Sequence, residues 1–165
     1  ASAEIKGIEA ELLLIPIDNL RLSLAGSYVD ATYEDFIESA IDPTTGRNLD
    51  SSGNDLQRTP DTQITGGFDY TMNVGSWGEA LNFRVSYSWQ SEMAWATDNI
   101  AKEDSYGLID ARIGLAPEGE PWEVALWGKN LDDELYRVNI ISFFGEEVSQ
   151  FGAPRTYGID FTWNF

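Results

Sequence analysis

Apolar and polar residues alternate with a period of two along most of this chain. Residues 80–90 set Leu81, Phe83, Val85, Tyr87 and Trp89 against Asn82, Arg84, Ser86, Ser88 and Gln90. Residues 62–74 set Ile64, Phe68, Tyr70, Met72 and Val74 against Gln63, Thr65, Asp69, Thr71 and Asn73. Leu20, Leu22, Leu24 and Tyr28 oppose Arg21, Ser23, Ala25 and Ser27, while Ile109, Ala111, Ile113 and Leu115 oppose Asp110, Arg112 and Gly114. Successive side chains of a strand point to opposite faces, so each stretch predicts a β-strand with one apolar and one polar face. About seven strands follow, near 4–15, 20–28, 62–74, 80–90, 106–116, 122–131 and 155–165. In the first, Ile8, Ala10, Leu12 and Leu14 oppose Glu9, Glu11 and Leu13, and the pattern fades toward Pro16. In the sixth, Val124 and Leu126 share a face.

Such strands suit a soluble sandwich and a membrane barrel equally well. Length favours the barrel, because strands of about 10 residues exceed the soluble mode of about 5–6. The connections favour it further. Short links at 16–19, 75–79 and 117–121 alternate strictly with long polar links at about 31–61, 91–105 and 132–154. Periplasmic turns on one rim and extracellular loops on the other produce that alternation in an up-and-down barrel. The predicted fold is therefore an all-β, antiparallel, up-and-down transmembrane β-barrel.

Composition narrows the chemistry. The 165 residues carry 28 acidic and 10 basic side chains, a net charge of −18, yet aromatics make up 13%. Disordered acidic chains are poor in aromatics, so a folded protein is expected. The acidity argues against nucleic acid as a partner, since phosphates are met by Lys and Arg. The chain has neither Cys nor His. That removes disulfides, thiolate zinc sites and the usual Ser-His catalysis within this sequence. No apolar run approaches the roughly 18 residues of a transmembrane helix, and Ala1 is expected inside a strand rather than in a signal peptide.

Tyr28, Tyr70, Tyr87, Trp89, Trp122, Tyr157 and Trp163 fall near strand ends or on apolar faces, where aromatic girdles at two membrane interfaces would place them. The final stretch puts Tyr157, Ile159, Phe161, Trp163 and Phe165 on one face against Gly158, Asp160, Thr162 and Asn164. This stripe resembles the C-terminal signature of outer-membrane proteins that the barrel assembly machinery recognises. Upstream, Trp122-Glu-Val-Ala-Leu-Trp-Gly-Lys-Asn-Leu-Asp-Asp-Glu-Leu-Tyr136 is similar to the penultimate-strand motif of TonB-dependent receptors, an Asn-Leu-x-Asp segment followed by Tyr. Gly152-Ala-Pro-Arg-Thr-Tyr-Gly158 resembles that family's Gly-x-Pro-Arg-Thr entry to the last strand, and Lys6-Gly-Ile-Glu-Ala-Glu11 its Lys-Gly-Val-Glu strand. The motif positions are Asn130, Leu131, Asp133, Tyr136, Gly152, Pro154 and Arg155, and all read as structural. Asn130, Asp132 and Asp133 suit a turn off the sixth strand, Glu134-Leu-Tyr136 a short helical turn, Pro154 a strand start and Arg155 the rim.

The resemblance implies a transporter that imports a scarce nutrient, such as a ferric siderophore or similar chelate, cobalamin or a glycan. It implies no enzymatic activity and no cofactor. The bacterial outer membrane is the expected location. Expected partners are its lipid and lipopolysaccharide, the barrel assembly machinery, the TonB complex, a plug domain and the rest of the barrel. Plugged transporters have about 22 strands. Residues 1–165 are therefore expected to be the last seven or so, a C-terminal segment with the plug absent and two open edges.

Substrate contacts are expected on the loops and inner wall, though no loop carries a diagnostic motif. Ile140-Ile-Ser-Phe-Phe144 is an apolar patch for ligand or, more simply, an extension of the sixth strand or an adjacent hairpin. Glu34, Asp35, Glu38, Asp42, Glu146 and Glu147 offer oxygens for Ca²⁺, but without a calcium-loop spacing they read as a solvated loop face. Asp42-Pro-Thr-Thr-Gly46 reads as a turn. Glu9, Glu11, Asp69, Arg84, Asp110, Arg112 and Asp160 would line a polar lumen and hold a plug through charge pairs. The competing reading is another outer-membrane barrel without TonB coupling, either a porin or a small self-contained barrel of about eight strands.

Overall fold

The computed structural model describes residues 1–41, 46–77, 79–143 and 146–165. In chain order the strands are β1 (Ser2–Ile17), β2 (Leu20–Asp35), β3 (Ile37–Ile41), β4 (Asn48–Asp50), β5 (Thr62–Asn73), β6 (Glu79–Gln90) and β7 (Met93–Ala94). They continue as β8 (Lys102–Glu103), β9 (Tyr106–Leu115), β10 (Trp122–Lys129), β11 (Arg137–Phe143), β12 (Glu146–Phe151) and β13 (Thr156–Trp163). The one helical element among the described residues is a 3-10 turn at Gly75–Trp77.

Strands β1, β2, β5, β6, β9, β10 and β13 join in that order into a seven-stranded sheet, each antiparallel to its neighbour. The remaining strands pair as β3–β4, β7–β8 and β11–β12, one pair in each long link. Up-and-down order brings all three long links to one end of the sheet and the short turns to the other. Among the described residues β1 pairs only with β2 and β13 only with β10, so the sheet is open at both edges.

The boundaries differ from expectation at the loop end. β2 runs on to Asp35 because β1 pairs with it as far as Ser2 and residues 53–61 fold back against its other edge. Tyr33 donates its N–H to the Asn54 carbonyl at 2.9 Å, Leu56 to Ala31 at 2.8 Å and Val29 to Asp61 at 2.7 Å. These bonds satisfy backbone that would otherwise be unpaired above the sheet. β1 passes through Pro16 at the cost of a register irregularity between Leu14 and Ile17. An edge strand tolerates a residue with no amide proton. Glu134-Leu-Tyr136 is not helical: it is irregular chain leading into β11, with the Glu134 amide and carbonyl both bonded to the Asn130 side chain.

The register keeps the alternation in phase across the sheet. Leu22 pairs with Leu14 and Phe68, Phe68 with Val85, Val85 with Ala111, Ala111 with Gly128, and Gly128 with Tyr157. A parallel row runs Tyr70–Phe83–Ile113–Leu126–Ile159. A one-residue slip in any strand would break these rows. The result is a continuous apolar face that no other described element covers. Ile8 is 70%, Leu12 51% and Phe161 65% exposed. A bare apolar surface of this extent marks contact with lipid or another protein. On the opposite face lie Arg21, Asp69, Arg84, Arg112 and Asp160. Tyr28, Tyr87, Trp89 and Tyr157 stand on the apolar face toward the loop end, and Tyr70, Trp122 and Trp163 toward the turn end.

Gly7 shows how tightly the first two strands meet. A Cβ there would lie 2.7 Å from the Tyr28 carbonyl oxygen, a backbone atom held in the β1–β2 ladder. At Gly26 the nearest atom would be 3.7 Å away. Gly7→Ala is expected to lower stability by about 1–3 kcal/mol, with Gly26→Ala near neutral. Urea midpoints of the two variants in the full-length protein check this.

Candidate functional site

Three groups of side chains stand out: the charged rows of the polar face, the turn between β10 and β11, and the cluster where the long links meet.

On the polar face the register sets Arg84 directly opposite Arg112. Like charges at paired positions repel. Here each turns to a carboxylate on its other side. Arg84 Nε lies 2.6 Å from Asp69 Oδ1, and Arg112 Nη2 bonds Glu123 Oε1. Trp127 shares this face, its indole N–H donating to Asp160 at 3.1 Å and its ring lying over Gly158. Together Arg84, Ser86, Asp110, Arg112, Trp127 and Lys129 border a groove of about 300 Å³. Sequence reasoning placed Asp69, Arg84, Asp110, Arg112 and Asp160 on one face but missed Trp127. Glu9 and Glu11 share that face on β1, bordering a separate hollow with Gln63 and Thr65.

The turn after β10 is built around Asn130, which is 4% exposed. Its backbone N–H donates to Asp110 at 2.9 Å. Its amide group donates to the carbonyls of Glu134 at 2.9 Å and Ala153 at 3.1 Å, and accepts from the Glu134 N–H at 2.8 Å. One side chain thus ties the start of the third long link to its end. Asn130 and Asp133 adopt positive φ, 50° and 60°, which Asn and Asp tolerate better than most residues. Asp133 then accepts from the Arg155 N–H at 2.9 Å, while Arg155 Nη1 donates to the Leu131 carbonyl at 3.2 Å. Tyr136 stacks on Tyr106 with centroids 4.8 Å apart and covers Gly152, where a Cβ would collide with the ring. Asn130, Leu131, Asp133, Tyr136, Gly152 and Arg155 are therefore brought together. Pro154 sits just before β13.

The aromatic stripe is not part of this knot. Tyr157, Ile159, Phe161 and Trp163 lie on the apolar face of β13, opposite Gly128, Leu126, Val124 and Trp122, and Phe165 lies beyond the strand.

In the long links, Glu38 accepts from Ser51 Oγ at 2.6 Å and from the Thr97 hydroxyl. These bonds, the Ser51 bond foremost, hold its carboxyl below the ordinary value of 4.5, against weak desolvation. That carboxylate joins the first link to the second through Oε1. Asp42 lies outside the described residues, as do Pro43, Thr44 and Thr45 of the expected turn and the side chains of Glu146 and Glu147. The Ile140–Phe143 part of the apolar patch lies in β11, which pairs with β12 as a hairpin. Ile140 packs inward with Trp95 and Ala101, and Phe144 lies outside the described residues. Glu103, 4% exposed, pairs with Arg137 at 2.7 Å. Neither Trp95 nor Glu103 was singled out in sequence. The signal available was the apolar run Met93-Ala94-Trp95-Ala96 inside a polar link.

A family model described as TonB dependent receptor-like, beta-barrel, matches residues 1–131. The fold is similar to the ferric yersiniabactin uptake receptor FyuA from Yersinia pestis, with a TM-score of 0.83 and 20% identity over 99% of this chain and 24% of that one. It is similar to the siderophore receptor PiuA from Acinetobacter baumannii, at a TM-score of 0.73 and 17% identity over 96% of this chain and 21% of that one. The ferric preacinetobactin receptor BauA from Acinetobacter baumannii gives a TM-score of 0.71 and 19% identity over 99% of this chain and 22% of that one. The chain thus spans less than a quarter of the length of these receptors.

Two outcomes are expected. Asn130→Ala leaves the Glu134 and Ala153 backbone groups unpaired and should cost about 1–3 kcal/mol, read as a lowered unfolding midpoint. The lowered pKa of Glu38 means its link to Ser51 and Thr97 is fully present above pH 4.5 and is lost as pH falls through the folded value. A loss of amide protection at 48–51 and 95–98 on acidification, with each rate taken relative to the intrinsic exchange rate at that pH, checks the second, and Ser51→Ala should move that transition to higher pH.

Proposed function

Since this chain belongs to the TonB-dependent receptor β-barrel family, we propose that it forms the C-terminal wall segment of an outer-membrane transporter that imports a scarce nutrient. The family comprises receptors and transporters, not enzymes. The observation that carries the reading is the sheet itself: a continuous apolar face backs a charged one across seven strands, with every long link at one end. Lipid satisfies the first face and a hydrated, plugged lumen the second.

In this reading residues 1–165 supply the last part of the barrel, and the plug and the TonB-contacting segment belong to other parts of the full protein. Arg84, Arg112, Asp110 and Asp160 face the plug. The stripe Tyr157, Ile159, Phe161, Trp163 and Phe165 is the signal read by the barrel assembly machinery. Asn130, Leu131, Asp133, Tyr136, Gly152, Pro154 and Arg155 fix the last extracellular loop between its strands, a structural task. The long links face lipopolysaccharide and the incoming nutrient. Of the three similar structures, PiuA is a siderophore receptor and FyuA and BauA are receptors for ferric yersiniabactin and ferric preacinetobactin, and on that ground a ferric siderophore or similar chelate is favoured over cobalamin or a glycan.

Uptake of radiolabelled ferric chelates by cells expressing the full-length protein tests this. Energy-dependent accumulation that disappears when TonB is disabled is expected. Passive solute flux through the purified protein in bilayers, indifferent to TonB, would instead establish a porin. The membrane orientation has its own check. Phe68→Arg, near the middle of β5 on the apolar face, should cost about 2–4 kcal/mol in lipid, whereas Ser88→Arg on the polar face should be far milder. The fraction of heat-modifiable folded protein on gels reports both.

A further inference from the structure

The three long links are far apart in sequence, yet they converge on one ionic and aromatic cluster built on the buried side chains of Trp95 and Glu103. Glu103 lies in the second link and is almost fully enclosed, at 4% exposure. Its two oxygens are both used. Oε1 accepts the backbone N–H of Arg137 at 2.9 Å, and Oε2 accepts Arg137 Nε at 2.7 Å and the Trp95 indole N–H at 3.4 Å. Arg137 also donates to the Lys102 carbonyl at 2.8 Å, so the third link grips the second by side chain and backbone together.

The first link enters through Arg58. Its guanidinium sits 5.6 Å from the Trp95 ring centroid, a cation–π distance. The same group donates to Asn139 of β11 at 3.1 Å, and the Arg58 backbone N–H donates to Ala94 at 2.7 Å. Arg58 holds φ at 58°, in the left-handed region that a long side chain rarely adopts. Surrounding contacts must outweigh that conformation. Ile140 closes the cluster from the hairpin side. Asn54 and Asp55 bond Thr97 and Asn99 close by, at 2.8 Å each, which further ties the first link to the second.

We propose that Glu103 and Arg137 are positioning residues that lock the three extracellular links into one cooperative body over this sector of the barrel mouth. The hairpin β11–β12 and the backbone around Arg58 then share a single opening equilibrium instead of three. A buried carboxylate shared by two donors from another link suits this task. Removing it takes the acceptor from the Arg137 backbone N–H, the half-buried Arg137 guanidinium and the buried Trp95 indole at once, so the penalty spreads to everything these groups hold in place.

Hydrogen–deuterium exchange on the full-length protein in detergent micelles tests the coupling without any ligand. In Glu103→Ala, amides at 53–58, 94–101 and 137–141 should all exchange at least about tenfold faster, the factor equal to about 1.4 kcal/mol of local stability. Those of 107–114, in β9, should stay unchanged. Acceleration confined to 102–104 and 137, with 53–58 at the wild-type rate, would overturn the proposal. Should Glu103→Ala lose heat-modifiable folding, Arg58→Gln at the edge of the cluster takes its place. About threefold faster exchange in all three segments is then expected, and a change limited to 53–58 would count against coupling. Because no nutrient is involved, the result stands or falls separately from transport.

Discussion

Every other feature of this structure depends on an antiparallel hydrogen-bond ladder whose register stays constant through the middle of the sheet and shifts only near strand ends. In a hydrocarbon layer no water can satisfy a stray N–H or carbonyl, so a spanning sheet must pair each with a neighbour. That pairing leaves side chains only two directions, and a constant register gives each direction a single chemistry across seven strands. The apolar rows from Leu14 to Tyr157 and from Tyr70 to Ile159 exist because no strand slips. The same ladder explains Gly7, where a methyl group would press on a carbonyl already committed to the sheet.

The polar face solves a different problem. Register fixes Arg84 and Arg112 side by side, and their repulsion is relieved by Asp69 in the same row and by Glu123, four residues along β10 from Trp127, the partner of Arg112. Charges paired in this way keep the wall hydrated without leaving a strong field of one sign. The strong field lies instead at the loop end, where acidic residues outnumber basic ones in each long link. There the scarce cations take central places. Arg58 and Arg137 occupy the cluster around Trp95 and Glu103, and Arg155 closes the Asn130 turn.

How far the sequence could be read depends on the range of the interactions involved. Period two is a nearest-neighbour property, and it revealed the seven sheet strands, their faces and the alternation of short and long links. The turn at Asn130 and Asp133 was legible because turn chemistry is local, whereas Pro154 was expected at a strand start and lies in irregular chain before β13. The path of β2 to Asp35 was not legible, since its upper half is held by residues 53–61. Glu134-Leu-Tyr136 misled because helical propensity over three residues is overridden by the hydrogen bonds of Asn130 to Glu134. Trp127 was missed because an aromatic on the polar face is legible only once Asp160 and Gly158 are seen beside it.

By itself, then, the sequence determined the all-β architecture, the membrane-suited sorting of faces and the family, since each rests on residues a few positions apart. Only the tertiary structure decided which charge meets which across the sheet, and that Arg58, Trp95, Glu103 and Arg137 converge from three separate links. The reason is physical. A strand's own pattern sets which way a side chain points, whereas its partners are chosen by register and by the folding-back of distant loops, and no local periodicity encodes either.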